Sequence, residues 1–310
     1  MLYLKHTESN KETVMSSVEY KAFAKINLHL DVTGIREDGF HSVNTVMQTI
    51  SLCDTVSASL REDSEFILTC TSPDVPTDGR NLAIKAAMLF AEATGIRRGA
   101  DIHIEKRIPM SAGLAGGSAD GAATLLALNE LNGSPLSLAE LCRLGARLGA
   151  DVPFCIVGGG AFADGKGDRL HSFPALPDCT LLVACGGEGV STPAAYGMLD
   201  ELYNKFESEI YYVPKDISPI RDAMSDGDLR RISNNLYNIF ESPILAARPV
   251  ASNLRRIMLD CGALGAMMSG SGPSVFGIFT DREGLERACD RIRKLGVTPH
   301  VCSPISRCQM

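Results

Sequence analysis

The sequence lacks the excess of basic residues that binding to nucleic acid or to an anionic membrane requires. Its 310 residues include 30 Lys and Arg against 37 Asp and Glu, so the formal net charge is −7 and the pI is about 5.4. Binding to nucleic acid depends on cationic side chains that displace counterions, so this balance argues against such a partner. The 45% hydrophobic and 22% charged composition is typical of soluble globular proteins and excludes wholesale disorder.

The sequence also lacks a segment typical of a membrane anchor or an export signal. The longest uncharged stretch, 261–280, carries five glycines, three serines and Pro273, which predicts strand, loop and strand instead of a spanning helix. Residues 1–17 contain no basic flank followed by an apolar run, and we predict that they form a mobile tail. We therefore expect a cytoplasmic chain with no membrane partner.

The sequence also lacks closely spaced cysteine pairs, since none of its ten cysteines belongs to a C-x2-C pair. Metal sites and redox motifs usually show such spacing, and a chain of this length needs no disulfides to be stable. The cysteines are therefore predicted to be reduced and to pack as small apolar side chains.

The length and the order of predicted elements indicate two domains of mixed α and β structure, with no internal repeat. Pro174 and Pro177 mark the boundary, which gives domains at 18–172 and 173–310. Periodicity, capping residues and turn residues predict the elements. The strands are expected at 22–32, 43–52, 54–60, 65–70, 101–107, 153–157, 161–163, 180–185, 263–268, 275–280 and 298–302. The helices are expected at 81–94, 118–131, 137–149, 193–206, 226–241, 243–260 and 283–294.

The first predicted strand, 22–32, alternates strictly between apolar and polar residues. Its polar face would hold Lys25, Asn27, His29 and Asp31. On a half-buried strand such a face usually points to solvent. The alternative is that it points into a cleft, where a lysine and an asparagine two residues apart would contact the same ligand.

A glycine-rich loop from Pro109 to Ala123, PMSAGLAGGSADGAA, runs directly into a predicted helix. Its glycines allow backbone N–H groups to approach an anion closely, and the helix N-terminus favours phosphate. Ser118 supplies a hydroxyl suited to a phosphate oxygen or Mg²⁺. The alternative is a tight turn whose glycines serve only to pack against a neighbour.

Two other glycine segments are weaker candidates for phosphate binding. The segment Gly160–Lys166 satisfies G-x4-G-K, but Gly167 stands where a P-loop needs Ser or Thr, so a P-loop is not expected. The segment Ser269–Pro273, SGSGP, joins two apolar strands and by itself indicates only a turn. The loop spacing G-x-x-G-G also differs from the dinucleotide fingerprint G-x-G-x-x-G, and we reject that fold.

Taken in order, three segments resemble the three motifs of the GHMP small-molecule kinase family. They are AKINLHLDVTGIREDGFHSV, PMSAGLAGGSADGAA and GALGAMMSGSGPSVFGIF, supported by GADVPF at 149–154 and S-x3-A-Y at 191–196. The resemblance covers about residues 20–282. It implies an α+β fold in which an N-terminal domain with a mixed or antiparallel sheet is joined to a C-terminal ferredoxin-like domain. It also implies that ATP, Mg²⁺ and a small alcohol meet in the cleft between them.

Within the family, the DGFH and AKIN segments resemble those of members that phosphorylate a cytidyl-methylerythritol. By motif position, Lys25 and Asp151 would be the catalytic pair. The same resemblance implies that ATP is bound by Pro109, Met110, Ser111, Ala112, Gly113, Leu114, Ala115, Gly116, Gly117, Ser118 and Ala119. It implies substrate binding by Asn27, Phe40, His41, Tyr196 and Ser269.

This sequence departs from the family pattern at three positions. Ala115 stands where the family usually has glycine and restricts φ there, while Gly121 replaces an alanine. Phe40 replaces the commoner tyrosine, which keeps a stacking ring but loses a hydroxyl.

The resulting hypothesis is a kinase in which Asp151 accepts the proton of an alcohol and Lys25 keeps that carboxylate ionised. One alternative is a related kinase acting on mevalonate, homoserine or a sugar. The other is a nucleotide-binding regulator that has lost catalysis. We expect a monomer or a weak homodimer.

Overall fold

The computed structural model describes residues 17–37, 39, 41–204 and 213–306, which form an α+β protein with two sheets. Phe40 and all but the last residue of the predicted tail lie outside this part of the chain. The strands are β1 (Val18–Ile35), β2 (His41–Leu60), β3 (Phe66–Cys70), β4 (Ala100–Glu105), β5 (Gly160–Asp164), β6 (Arg169–Phe173), β7 (Thr180–Cys185), β8 (Tyr237–Asn238), β9 (Gly265–Met268), β10 (Ser274–Phe279) and β11 (Pro299–Cys302). The helices are α1 (Leu82–Thr94), α2 (Gly116–Leu131), α3 (Leu138–Leu148), α4 (Val152–Val157), α5 (Thr192–Asn204), α6 (Ser218–Ser225), α7 (Leu229–Asn234), α8 (Glu241–Ala247), α9 (Pro249–Asp260) and α10 (Arg282–Arg293).

The larger sheet is mixed, as the sequence predicts. Its strands run in the order β3-β4-β2-β1-β8, with β5 paired to β2 and β6 paired to β5. The pairs β3–β4 and β1–β8 are parallel and the others are antiparallel. Because β8 comes from the C-terminal half of the chain, its pairing with β1 ties that half to the larger sheet.

The smaller sheet has the ferredoxin-like arrangement that the family resemblance implies. Its four strands are all antiparallel and lie in the order β11-β7-β10-β9. Along the chain they follow a β-α-β-β-α-β pattern, with an insertion between β7 and β9 that holds α5 to α9 and β8. The predicted fold class is therefore confirmed, while the exact division at 172–173 stays a prediction.

Local capping signals place several helix ends where the sequence predicts them. Asn81 caps α1 through its side chain, and Gly95 ends that helix in the left-handed conformation. Ser137 and Glu140 form the predicted capping box at the start of α3. Within the described residues, all nine cysteines are free thiols, and no helix is long and apolar enough to cross a membrane.

The prediction of a strand at 153–157 is wrong, because this segment forms helix α4. A short apolar run has no periodicity that separates a buried strand from a buried helix. Pro153 lies in the first turn, where its fixed φ suits a helix and its missing N–H costs nothing. Asp151 occupies the N-cap position, so the start of helix α4 fixes the backbone position of this residue.

The prediction of two long helices at 226–241 and 243–260 is also wrong. This region forms α7, the short strand β8, α8 and α9. The Asn238 side chain donates hydrogen bonds to the carbonyl oxygens of Met268 and Gly270, both at 2.8 Å, which hold β8 extended. Pro249 opens α9 instead of interrupting a helix. Tertiary hydrogen bonds therefore override the local helical pattern.

The polar residues of β1 do not share one face, contrary to the sequence prediction, and all four are buried. The solvent-facing interpretation is therefore wrong, and the alternative of a cleft holds for Lys25 and Asn27. Asn27 pairs with Met47 but His29 pairs with Val46, so β1 carries one extra residue between them. A bulge of one residue reverses the faces of the strand that follows it. Lys25, Asn27 and, beyond the bulge, Leu30 therefore line a pocket.

Beyond the bulge, His29 and Asp31 are buried away from the pocket. They are 1% and 0% exposed, and the backbone N–H of Lys215 donates to Asp31 Oδ2 at 2.7 Å. The His29 ring lies 5.4 Å from that of Tyr237. Burial, helped by the nearby Lys215, lowers the pKa of His29 to about 4, whereas burial raises the pKa of Asp31 to about 6.

We expect the His29→Gln variant to reveal this buried neutral histidine through the pH dependence of stability. An unfolded histidine takes up a proton near pH 6.5, so stability from His29 is present above that pH and is lost as the pH falls towards 4. The free energy of unfolding of the wild type, minus that of His29→Gln, should fall by about 2 kcal/mol between pH 7 and pH 5. The measurement is urea unfolding of both proteins at each pH. The opposite contribution of Asp31 cancels in this comparison.

The matched control is His103→Gln, which changes an exposed histidine of β4. If the difference in free energy of unfolding between wild type and His29→Gln does not change with pH, the assignment of a buried neutral imidazole is wrong.

Candidate active site

A pocket of about 630 Å³ lies where the larger sheet, the glycine-rich loop and the C-terminal insertion meet. Its walls include β1, the loop before α2, the start of α4, the turn between β5 and β6, and α5. The motifs that the sequence singles out thus surround one cavity, although they are far apart along the chain.

Lys25 and Asp151 meet at the wall of this pocket. Lys25 Nζ lies 3.5 Å from Asp151 Oδ2, and the side chains are 6% and 37% exposed respectively. Lys25 Nζ also donates to Asn27 Oδ1 at 2.7 Å. A largely buried ammonium is therefore held against a carboxylate that remains open to the pocket.

Asn27 is itself held in place by a chain of hydrogen bonds. Its Nδ2 donates to Thr45 Oγ1 at 2.8 Å, and that hydroxyl donates to the carbonyl oxygen of His29 at 2.7 Å. Because Asn27 and Thr45 are almost fully buried, these bonds fix their orientation. The Lys25 ammonium is thereby positioned by a rigid network.

The glycines of the loop before α2 serve two different purposes. A Cβ on Gly113, whose φ is +78°, would lie 2.0 Å from the carbonyl oxygen of Ser269. A Cβ on Gly116 would lie 3.1 Å from Lys106 Nζ, whereas one on Gly117 would meet only Leu82 at 3.8 Å. Packing thus explains Gly113 and Gly116, while Gly117 leaves the helix N-terminus open to an anion.

Ala115 adopts the left-handed conformation at the start of α2, with φ 58° and ψ 28°. An L-residue with a Cβ is disfavoured in this region by about 1–2 kcal/mol relative to the right-handed one. Ala115 stands where the family usually has glycine, and its backbone is therefore strained.

Ser269 lies behind the loop and not in the pocket wall. Its fully buried hydroxyl donates to the carbonyl oxygen of Gly113 at 3.0 Å and accepts from the N–H of Asn27 at 3.3 Å. Its neighbours Gly270 and Ser271 do line the pocket. The hydrogen bonds of Ser269 thus join the strand motif to both glycine-rich motifs, while its predicted substrate contact stays a prediction.

Aromatic rings cluster at one side of the pocket, where Tyr196 and Phe240 line it and His41 packs against Tyr196 without lining it. The His41 and Tyr196 rings stack with centroids 4.4 Å apart, and His41 Nε2 lies 3.1 Å from Asp200 Oδ1. The Tyr196 and Phe240 rings are nearly perpendicular, with centroids 4.9 Å apart. Burial raises the pKa of Tyr196 to about 12, so its hydroxyl stays protonated. Phe240 has no glycine or motif signal in the sequence and was missed there.

The segment Gly160–Lys166 is not a P-loop, as the sequence indicates, because it forms β5 and the turn that leads into β6. Lys166 and Gly167 nevertheless line the pocket. Asn81 also lines it while capping α1 and donating from Nδ2 to the carbonyl oxygen of Pro76 at 2.8 Å. Capping is the role that the sequence favours for this residue.

A buried charge cluster under the glycine loop was also missed by sequence reasoning. Lys106 Nζ lies 2.5 Å from Asp54 Oδ2 and 2.7 Å from Asp120 Oδ2. Lys106 lies near the end of an alternating strand pattern and Asp54 begins a predicted strand, and at such positions both residue types are typical of the surface. The only signal is that Asp120 belongs to the loop motif itself.

Comparisons with known proteins agree with this arrangement. Sequence models described as GHMP kinases N terminal domain and GHMP kinases C terminal match residues 81–159 and 220–298. A 4-diphosphocytidyl-2-C-methyl-D-erythritol kinase of Caldicellulosiruptor saccharolyticus is 43% identical over 273 residues, which cover 88% of this chain and 92% of the relative. The chain belongs to the GHMP kinase family. It is therefore a small-molecule kinase that uses ATP, as the motifs predict.

Solved GHMP kinases have the same fold. The crystal structure of a 4-(cytidine 5'-diphospho)-2C-methyl-D-erythritol kinase, 34% identical, matches with a TM-score of 0.75 over 92% of this chain and 98% of that one. A homoserine kinase from Cytophaga hutchinsonii matches with a TM-score of 0.69 at 20% identity, over 96% and 98% of the two chains. At 20% identity, the match to the homoserine kinase shows only that the two proteins share a fold.

Replacing Ala115 with glycine should stabilise this GHMP kinase. Glycine removes the strain of the left-handed conformation but increases the entropy of the unfolded chain. The free energy of unfolding should therefore rise by about 0.5–1 kcal/mol. Urea unfolding of Ala115→Gly and wild type measures it. The matched control is Ala119→Gly, inside α2 and buried, which should lose stability. Equal losses in the two variants would contradict the strain assigned to Ala115.

Proposed function

We propose that the chain transfers the γ-phosphoryl group of ATP to one hydroxyl of 4-diphosphocytidyl-2-C-methyl-D-erythritol, a step of non-mevalonate isoprenoid synthesis. The observation that carries this proposal is the identity of 39–43% to relatives with that kinase name, over 88–94% of this chain. One homoserine kinase and two mevalonate kinases of known structure share 14–20% identity with it.

The chemistry of phosphoryl transfer suits the residues at the pocket wall. The acceptor hydroxyl oxygen forms a bond to the γ-phosphorus while the bond from that phosphorus to the bridging oxygen of ADP breaks. Asp151 Oδ2 orients the hydroxyl and accepts its proton. Lys25, 3.5 Å away, keeps the carboxylate oriented and offsets the negative charge of the reacting oxygens.

The glycine loop would hold the phosphates of ATP. Backbone N–H groups at the start of α2 and the helix dipole favour negative charge there, and Gly117 leaves room for close approach. Since phosphoryl transfer depends mainly on positioned reactants and on charge stabilisation, fixed donors of this kind suffice.

Mg²⁺ would enter with the ATP phosphates instead of residing in a protein cage. The described residues contain no group of three His, Cys, Asp or Glu side chains that could hold a metal. Mg²⁺ in kinases commonly needs only one or two protein ligands, and the half-buried Ser118 hydroxyl at the pocket fits that role. When bound, the ion would supply positive charge to the phosphate oxygens.

The aromatic end of the pocket suits the cytosine base of the proposed substrate. Tyr196 provides a stacking surface buttressed by Phe240, and His41 provides a polar ring nitrogen. Phe40, by motif position, would supply a second stacking ring. Such a pair of groups has no evident use with a short aliphatic alcohol.

The proposed reaction is tested by coupled measurement of ADP release. We expect release with the cytidyl-methylerythritol substrate but not with cytidine monophosphate, mevalonate or homoserine. Asp151→Asn should lower kcat at least about 100-fold, because a general base contributes that much or more, while the Kd of ATP changes less than about 2-fold. Near-normal turnover would remove Asp151 from the role of base. The control Asp228→Asn neutralises another helix N-cap, outside the pocket, and should leave kcat unchanged.

The cytidine site is tested by Tyr196→Leu, with Tyr196→Phe as its matched control. Loss of base stacking should raise the KM of the cytidyl substrate about 10-fold, since stacking on an aromatic ring contributes about 1–3 kcal/mol per base. The phenylalanine variant retains the ring and should retain most of the affinity. Steady-state kinetics in both substrates is the measurement. A rise in the KM of ATP with none in that of the cytidyl substrate would place the cytidine elsewhere.

A further inference from the structure

Three charged side chains are buried together beneath the glycine loop and take no part in the proposed reaction. They are Asp54 of β2, Lys106 directly after β4, and Asp120 of α2, with side chains 0%, 7% and 4% exposed. Lys106 Nζ contacts Asp54 Oδ2 at 2.5 Å and Asp120 Oδ2 at 2.7 Å. We call these three residues the ionic clamp.

One side of the ionic clamp fixes the start of the loop. Asp54 Oδ1 accepts hydrogen bonds from the backbone N–H groups of Arg107 and Ile108, at 2.5 and 2.8 Å. These two residues directly precede Pro109, where the loop begins. Both oxygens of Asp54 are thus used, one on the backbone and one on Lys106, so this carboxylate is fully engaged.

The other side of the ionic clamp fixes the end of the loop. Asp120 lies in the second turn of α2, and Gly116 at the start of that helix passes so close to Lys106 that a Cβ there would lie 3.1 Å from Nζ. Lys106 therefore links the residues directly before the glycine loop to helix α2, which directly follows the loop. The loop between them, which would hold the ATP phosphates, is tethered at both ends.

The ionic clamp carries one positive and two negative groups when all are ionised, and Asp120 lines the pocket beside the loop. Its Oδ2 is bonded to Lys106, whereas its buried Oδ1 has no hydrogen-bond partner within the described residues. Lys106 also lines the pocket, so the ionic clamp reaches the cavity in which the triphosphate is proposed to bind.

We propose that Lys106 is a positioning residue that holds the glycine loop in its phosphate-binding form. This inference rests on the proposed seating of ATP on the glycine loop. It does not depend on which alcohol is phosphorylated.

The positioning role of Lys106 is tested by Lys106→Met and Lys106→Arg in the kinase assay. Lys106→Met should raise the KM of ATP at least 10-fold and that of the alcohol less than 3-fold, and Lys106→Arg should recover part of the loss. Asp54→Asn, which retains an acceptor for the two backbone N–H groups, covers the case in which Lys106→Met does not fold, and it should raise the KM of ATP selectively. Unchanged KM for ATP in folded variants, with only a lower melting temperature, would overturn the proposal.

Discussion

The contact between the Lys25 ammonium and the Asp151 carboxylate is the interaction on which the rest of the site depends. The two groups come from strand β1 and from the N-cap of α4, which are 126 positions apart in the sequence, and they meet at 3.5 Å. The part of β1 before the bulge and the N-cap position of α4 place both side chains at one cavity. Without that convergence the glycine loop would be an anion site with no means of accepting a proton.

The three motifs are held together by backbone contacts as much as by side chains. The N–H of Lys25 donates to the carbonyl oxygen of Leu114 at 3.1 Å, and the N–H of Ser274 donates to that of Ala112 at 3.2 Å. Gly113 fits against Ser269 only because it has no Cβ. The glycine loop is therefore packed between β1 and the segment 269–274, which explains why it needs glycine at Gly113.

Much of the fold was predictable because it is encoded by local signals. Asn81, Gly95, Ser137 and Glu140 specify helix ends through hydrogen bonds within a few residues. The features that were missed depend on distant partners. The extra residue in β1 is recognised only through its register with β2, and Asn238 forms β8 through carbonyl groups thirty residues away. The partners of Lys106 lie on β2 and α2, so its burial has no local signature.

The central claim is that Asp151 faces the acceptor hydroxyl while ATP sits on the loop that leads into α2. A crystal structure with a non-hydrolysable ATP analogue and the cytidyl substrate bound together tests it most directly. The account predicts the acceptor oxygen within about 3 Å of an Asp151 carboxylate oxygen, which is hydrogen-bonding distance, and on the side of the γ-phosphate opposite ADP. A hydroxyl that instead lies against other side chains, with Asp151 and Lys25 remote from both ligands, would contradict it.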